Sequence, residues 1–301
     1  GASARAAAFA SRHDLDATAD RLVELLASGG TLAQPRVRPR AHMAADDARA
    51  SGQIVVLGMH RSGTSSLAGL LARMGAWPGD DAALLIGPDN PRGHYELGAL
   101  HGACLRRLAA AGGDWKRPPS AAPAAAVDAF RREASTVLQT LDARRPWFIK
   151  EPRLCLVVRE LLPLLTRPVF VHVVRDPLEV AASLESRDGL GRDEALALWE
   201  RYTRAAFAAT RGWPRVVVDY ADVVARPLAA AARLHAALVA FGIEGLRAAS
   251  AATVNAWIEP ALHRQHAAEA QCDALSPAQR ELVAAIADGS ILARDVAGED
   301  A

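Results

Sequence analysis

Three features of the 301-residue chain predict an α/β fold: a central parallel sheet flanked by helices on both faces. Four short apolar runs, at 53–58, 147–151, 169–174 and 215–220, alternate with segments of helical periodicity. That alternation is the pattern of βαβ units joined by right-handed crossovers. The runs are apolar on consecutive residues, as strands buried on both faces are. The first run ends in Gly58, turns through polar and basic residues, and enters a helix. Unpaired N–H groups and the helix dipole make such an entry a ready anion site.

Residues 1–50 read as an extension to a main domain at 51–301. A helix is expected at 14–26, with Leu22, Leu25 and Leu26 on one face. Gly29 and Gly30 stop it, and the Pro/Arg-rich stretch at 34–40 reads as a linker. Because the chain starts at Gly1 rather than Met, it is expected to be a trimmed chain or a piece of a longer polypeptide.

After the first strand, Leu67, Leu70, Leu71 and Met74 fall at i, i+3, i+4 and i+7, one face of a helix. Gly75 suits its C-terminal cap. Gly58 and Gly63 have the spacing of the nucleoside-triphosphate P-loop, G-x-x-x-x-G-K-[ST]. Thr64 stands in the lysine position, however, and the loop's cation is Arg61. Backbone amides, the Arg61 guanidinium and the hydroxyls of Ser62, Thr64 and Ser65 suit one phosphate or sulfate group rather than a magnesium-bound triphosphate. A tight turn with no ligand is the plain alternative.

A polar cluster at 89–96 precedes the next helix, which carries Leu97, Leu100, Cys104, Leu105 and Leu108 at helical spacing. Glu96 lies near that helix's N-terminus. The dipole there favours an ionised, proton-accepting carboxylate, although acidic residues at helix starts also serve simply as caps. His60, His94 and His101 compete as bases, since histidine is the commonest proton-transfer residue. Trp115 fits equally an acceptor pocket and the core. A helix at 124–142 buries Val127, Phe130, Ala134, Val137, Leu138 and Leu141.

The second strand ends in Lys150, followed by Glu151, Pro152 and Arg153. Strand C-termini of an open parallel sheet face the ligand crevice, and an unpaired buried ammonium is costly. Lys150 therefore reads as functional, with Arg153 paired to Glu151. The third strand ends in Arg175-Asp176-Pro177, and proline opens a helix on which Ser183 and Arg187 share a face. Arg175, Ser183 and Arg187 form a candidate phosphate clamp; the alternative for Arg187 is a surface pair with Asp188 or Glu185. His172, in mid-strand, reads as a core histidine. The aromatic stripe of the helix at 192–211 (Trp199, Tyr202 and Phe207) reads as core. A helix at 227–241 follows the fourth strand. Ser276 starts the last helix, with Glu281 too far along for a capping box.

The formal charge of +1 gives no global field toward nucleic acid. No apolar stretch reaches the roughly 18 residues that span a bilayer. Three cysteines, without metal-ligand spacing, read as reduced thiols of a cytoplasmic protein, two of them buried. No metal site is expected.

The segment Gly58-Met59-His60-Arg61-Ser62-Gly63-Thr64-Ser65 resembles the 5′-phosphosulfate loop of sulfotransferases that use 3′-phosphoadenosine 5′-phosphosulfate (PAPS). Lys150-Glu151-Pro152 is similar to the Lys-Asp-Pro strand end of tyrosylprotein sulfotransferases, with Glu151 in place of aspartate. Arg175-Asp176-Pro177 with Ser183 and Arg187 resembles the family's 3′-phosphate motif, and Asn90, Gly93 and Glu96 resemble its base-bearing segment in bacterial members. The resemblance spans 53–265. It implies sulfuryl transfer from PAPS to an acceptor hydroxyl, with a glycan the first expectation. It implies Glu96 as base and Lys150 and Arg61 as charge stabilisers. Arg61 and Ser62, Gly63, Thr64 and Ser65 would hold the 5′ side, and Arg175, Ser183 and Arg187 the 3′-phosphate. It also places His263 or Arg264 near the nucleotide. A P-loop kinase and a non-catalytic module of a larger protein are the competing classes.

Overall fold

The computed structural model describes residues 52–87, 93–258 and 274–293. The expected N-terminal extension, Asn90, His263, Arg264 and Cys272 lie outside the described residues.

β1 (Gln53–Leu57), β2 (Trp147–Lys150), β3 (Pro168–Val174) and β4 (Arg215–Asp219) form one parallel sheet in the order β2-β1-β3-β4. Each strand falls within a residue or so of its apolar run. In register, Val55 lies opposite Ile149 on one side and Phe170 on the other. Both faces are buried, which is why the runs do not alternate with polar residues. Ile54, Val56, Phe148, Val169 and Val171 belong to the core on one face; Val55, Leu57, Ile149 and Phe170 belong to the core on the other.

Helices cover each face. α1 (Thr64–Arg73), α7 (Tyr220–Ala225), α8 (Pro227–Ala240) and α9 (Ala251–Trp257) pack with Ile54 and its neighbours. α2 (Gly98–Ala109), α3 (Ala124–Asp142), α4 (Leu154–Leu161), α5 (Pro177–Asp188), α6 (Arg192–Ala209) and α10 (Pro277–Ala287) contribute to the opposite core. A short α11 (Ser290–Ala293) follows. The chain reaches β2 on one flank of β1, whereas β3 lies on the other flank and leads out to β4. The loops after β1 and β3 therefore diverge, one into α1 and one into α5 on opposite faces. Open α/β sheets bind ligands in the crevice at such a switch point.

Two expectations need correction. Leu105 is exposed rather than buried; Ala103 and Arg107 take inward positions on α2 instead. Ser276 does open a capping box, completed by Gln279 at the third helical position, so its partner was nearer than Glu281. As expected, His172 is a core residue. Its Nε2 lies 3.0 Å from the Thr210 hydroxyl and its ring stacks 4.1 Å from Phe207.

α1 is pinned from behind. The Trp257 indole N–H donates to the Ser66 carbonyl at 2.8 Å, and the Arg73 guanidinium lies 3.8 Å over its ring. A Cβ at Gly69 would sit 2.0 Å from that ring, so glycine allows the close approach. Gly69→Ala should cost about 1–3 kcal/mol through overpacking. Urea denaturation checks this; an unchanged midpoint contradicts the contact.

Candidate active site

The turn after β1 is tight because its glycines have no room for a side chain. A Cβ on Gly58 would meet the Thr64 methyl at 2.7 Å and the Val173 carbonyl at 2.8 Å. The Gly58 N–H is satisfied by Cys155 Sγ at 3.2 Å. Arg61 and Gly63 have φ of 69° and 86°. The left-handed region is natural for glycine but uncommon for arginine, so something must hold Arg61 there. The Ser62 N–H donates to the Met59 carbonyl at 3.1 Å, and Arg175 Nη1 donates to the Arg61 carbonyl at 2.9 Å. On the other side, the Tyr220 ring would lie 2.0 Å from a Cβ on Gly63.

Side chains from the two diverging loops meet. Arg61 Nε donates to Ser183 Oγ at 2.8 Å. Arg175 also pairs with Glu179 at 2.8 Å, and its guanidinium sits 5.0 Å over the Tyr220 ring. The structure therefore brings Arg61, Arg175 and Ser183 together. Arg187, one turn after Ser183 on α5, pairs with Asp188 at 2.8 Å, the partner weighed in the sequence analysis. Ser62 and Thr64 are buried in the loop and the first turn of α1, and Ser65 lies in the same turn.

Ser65 links this loop to the end of β2. Lys150 Nζ donates to Ser65 Oγ at 3.2 Å and to Glu96 Oε1 at 2.6 Å. The Lys150 side chain is 1% exposed and that of Glu96 12%, so the pair is largely shielded from water. Glu96 precedes α2 by one residue, Leu97, rather than standing in its first turn. The other Glu96 oxygen lies 3.5 Å from His101 Nδ1, which is 2.8 Å from buried Glu151 Oε2. Arg153 closes the cluster at 2.8 Å from Glu151 Oε1, the pairing expected from the sequence. Three potential ligand atoms of Glu96, His101 and Glu151 lie within 4.8 Å of one another, a spacing a metal ion could bridge. Side-chain nitrogens border the same oxygens: Lys150 faces Glu96, Arg153 faces Glu151, and His101 stands between them.

The electrostatics follow from these contacts. Burial opposes ionisation of Glu96, but hydrogen bonds from His101 and Lys150 outweigh it and hold the carboxyl well below its usual range. Hydrogen bonds to Glu151 and Glu96 raise His101 from 6.5 to about 9. His60 is pushed the other way by burial and then by the Arg153 charge, which leaves a neutral imidazole. Its ring packs 4.7 Å from Trp115 and 5.9 Å from Tyr202, and its Nε2 meets no hydrogen-bond partner among the described residues. Trp115 thus joins the core through His60, while Tyr202 donates to the Trp115 carbonyl at 3.0 Å. Nothing in the sequence signals Tyr220 against Gly63 or His101 against Glu151, since both depend on helices that pack only in the folded chain.

His101 and His172 have opposite pH signatures. The folded pKa of His101 lies above its ordinary 6.5, so its contribution to stability is complete below 6.5 and is lost as pH rises through about 9. Burial lowers His172 from 6.5 to about 3, so its contribution is complete above 6.5 and is lost as pH falls toward 3. Ring-proton NMR should find a His101 midpoint near 9 and His172 neutral at pH 5. A His101 midpoint at 6.5 contradicts the contacts with Glu151 and Glu96.

Comparison with curated protein sequences gives no match. Among solved structures, the sulfotransferase domain of the Synechococcus PCC 7002 olefin synthase is 17% identical, with 81% of this chain and 96% of that one covered and a TM-score of 0.46. Sulfotransferase STF9 from Mycobacterium avium is 17% identical, with 85% and 80% covered and a TM-score of 0.45. Sulfotransferase STF1 from Mycobacterium tuberculosis H37Rv is 17% identical, with 81% and 78% covered and a TM-score of 0.45. The sequence profile described as "Sulfotransferase family" matches residues 53–241, from β1 through the end of α8 and well over half of the chain. The chain belongs to the sulfotransferase family.

Proposed function

We propose that this protein transfers a sulfuryl group from PAPS to an acceptor hydroxyl. The observation that carries the reading is the convergence of Arg61, Arg175 and Ser183 at the switch point between β1 and β3. These groups, with the α1 N-terminus, fit a donor bearing phosphate and phosphosulfate groups. When bound, PAPS supplies an activated sulfuryl group on a phosphate leaving group. Arg61 and the 62–65 amides and hydroxyls hold the 5′ side, while Arg175, Ser183 and Arg187 take the 3′-phosphate. Glu96, ionised between Lys150 and His101, accepts the proton of the acceptor hydroxyl. Lys150 and Arg61 neutralise the negative charge that develops on the transferring group. These fixed cations take the part that Mg²⁺ plays in phosphoryl transfer, so no metal is assigned to the reaction.

The acceptor assigned is a glycan hydroxyl and the location cytoplasmic, the first from the family resemblance and the second from cysteine usage. No helix among the described residues is long and apolar enough to cross a membrane. Residues 1–50 fit an extension within a longer polypeptide. Thr64 in the lysine slot disfavours a P-loop kinase, and the shielded Glu96–Lys150 pair beside the loop disfavours a module without chemistry.

Radiolabelled PAPS incubated with a panel of saccharides and phenols tests the assignment of roles. Lys150→Ala should lower turnover by about 10²–10³, the scale for a lost transition-state donor; retention of more than a tenth contradicts its role. Glu96→Gln should lower turnover comparably, and near-normal turnover transfers the base role to His60 or His94.

A further inference from the structure

Glu96 and Glu151 pose an electrostatic problem that Lys150 and Arg153 do not fully solve. The two carboxylates approach closely, with oxygens from both and His101 Nδ1 all within 4.8 Å of one another. Their side chains are 12% and 1% exposed, so water screens them poorly. Like charges at that separation ordinarily force one carboxyl to keep its proton. Lys150 hydrogen-bonds Glu96 through Oε1, and Arg153 hydrogen-bonds Glu151 through Oε1. The facing Oε2 atoms both lie against His101 Nδ1, at 3.5 and 2.8 Å, and Arg153 Nη1 lies 3.5 Å from the same nitrogen.

We infer that His101 is a positioning residue: its imidazolium, clamped by Glu151, keeps Glu96 charged and fixes its carboxylate on the Lys150 side of the cleft. Glu151 is the anchor of the device. Its Oε2 orients the His101 ring, and its Oε1 accepts from the Arg153 side chain at 2.8 Å and the Arg153 backbone N–H at 3.0 Å. Other titratable groups that act on the cluster are His60, Cys104, Cys155 and Tyr202, and the Arg153 charge opposes that of His101. All four are buried, and burial disfavours the charged form of each, so the charge balance rests on Lys150, Arg153 and His101 against two carboxylates. His101 does not act as the base itself, because hydrogen bonds to both glutamates hold it protonated. The inference adds to the proposed base role of Glu96, and its charge-setting part stands without it.

Carbon NMR of side-chain-labelled glutamate reads the device without any acceptor. In the wild-type protein, the Glu96 resonance should shift as pH rises through the His101 midpoint near 9. In His101→Asn, Glu96 should bind its proton at least tenfold more tightly than in the wild type. A Glu96 resonance that ignores the alkaline step, or an unchanged Glu96 titration in a folded His101→Asn, overturns the inference. The acid limb of PAPS-dependent turnover should move to higher pH in His101→Asn, whereas a merely structural loss lowers turnover evenly at every pH. If the glutamate titration shifts but the turnover profile keeps its shape, His101 still sets the charge of Glu96 and the base reading fails instead.

Discussion

The left-handed backbone at Arg61 is the constraint on which the rest of the site depends. An arginine at φ of 69° is held there by a carbonyl hydrogen bond from Arg175, by the Ser62 turn, and by Tyr220 packed on neighbouring Gly63. Each of these groups comes from a different part of the chain. The turn is therefore braced jointly by the ends of β1 and β3 and the start of α7. With the turn set, α1 starts at Thr64 and the Arg61 side chain reaches Ser183 on α5. Strain of this kind persists where the surroundings over-determine it, which is common at functional sites.

A second layer of order comes from buried charge. Lys150 ends a strand inside the molecule, and a lone ammonium there would be costly to desolvate. Glu96 and Ser65 offset that cost, and the chain of contacts continues through His101 and Glu151 to Arg153. The same contacts that make the cluster tolerable also fix the protonation of its members. Glu96 is a carboxylate, His101 an imidazolium and His60 a neutral ring. Folding and site electrostatics are one problem in this protein, because removing Glu96 or Glu151 strips Lys150 or Arg153 of its buried counter-charge.

Much of this was legible in the sequence, and the limits have physical causes. Strands buried on both faces write themselves as unbroken apolar runs, so all four were found to within a residue or so. The α1 core face was equally plain, since Leu67, Leu70, Leu71 and Met74 are all buried. The cations at strand ends stood out because an arginine or lysine after a buried strand has few structural uses. What could not be read was the distance between segments. Nothing local shows that Arg61 meets Ser183, that Tyr220 closes on Gly63, or that His101 spans two glutamates. Leu105 was misplaced because helical periodicity alone does not tell a core face from its margin. The Ser276 capping box closes on the amide of Gln279 rather than on an acidic side chain.

The central claim is that the β1–α1 turn and the β3–α5 turn together form a site for a nucleotide with phosphates at both ends of its ribose. Isothermal titration with 3′-phosphoadenosine 5′-phosphate, with and without EDTA and alongside Mg-ATP, tests it most directly. The account predicts micromolar binding of the bisphosphate that is indifferent to EDTA and much tighter than Mg-ATP. Absence of binding, or tighter binding of Mg-ATP, would contradict it.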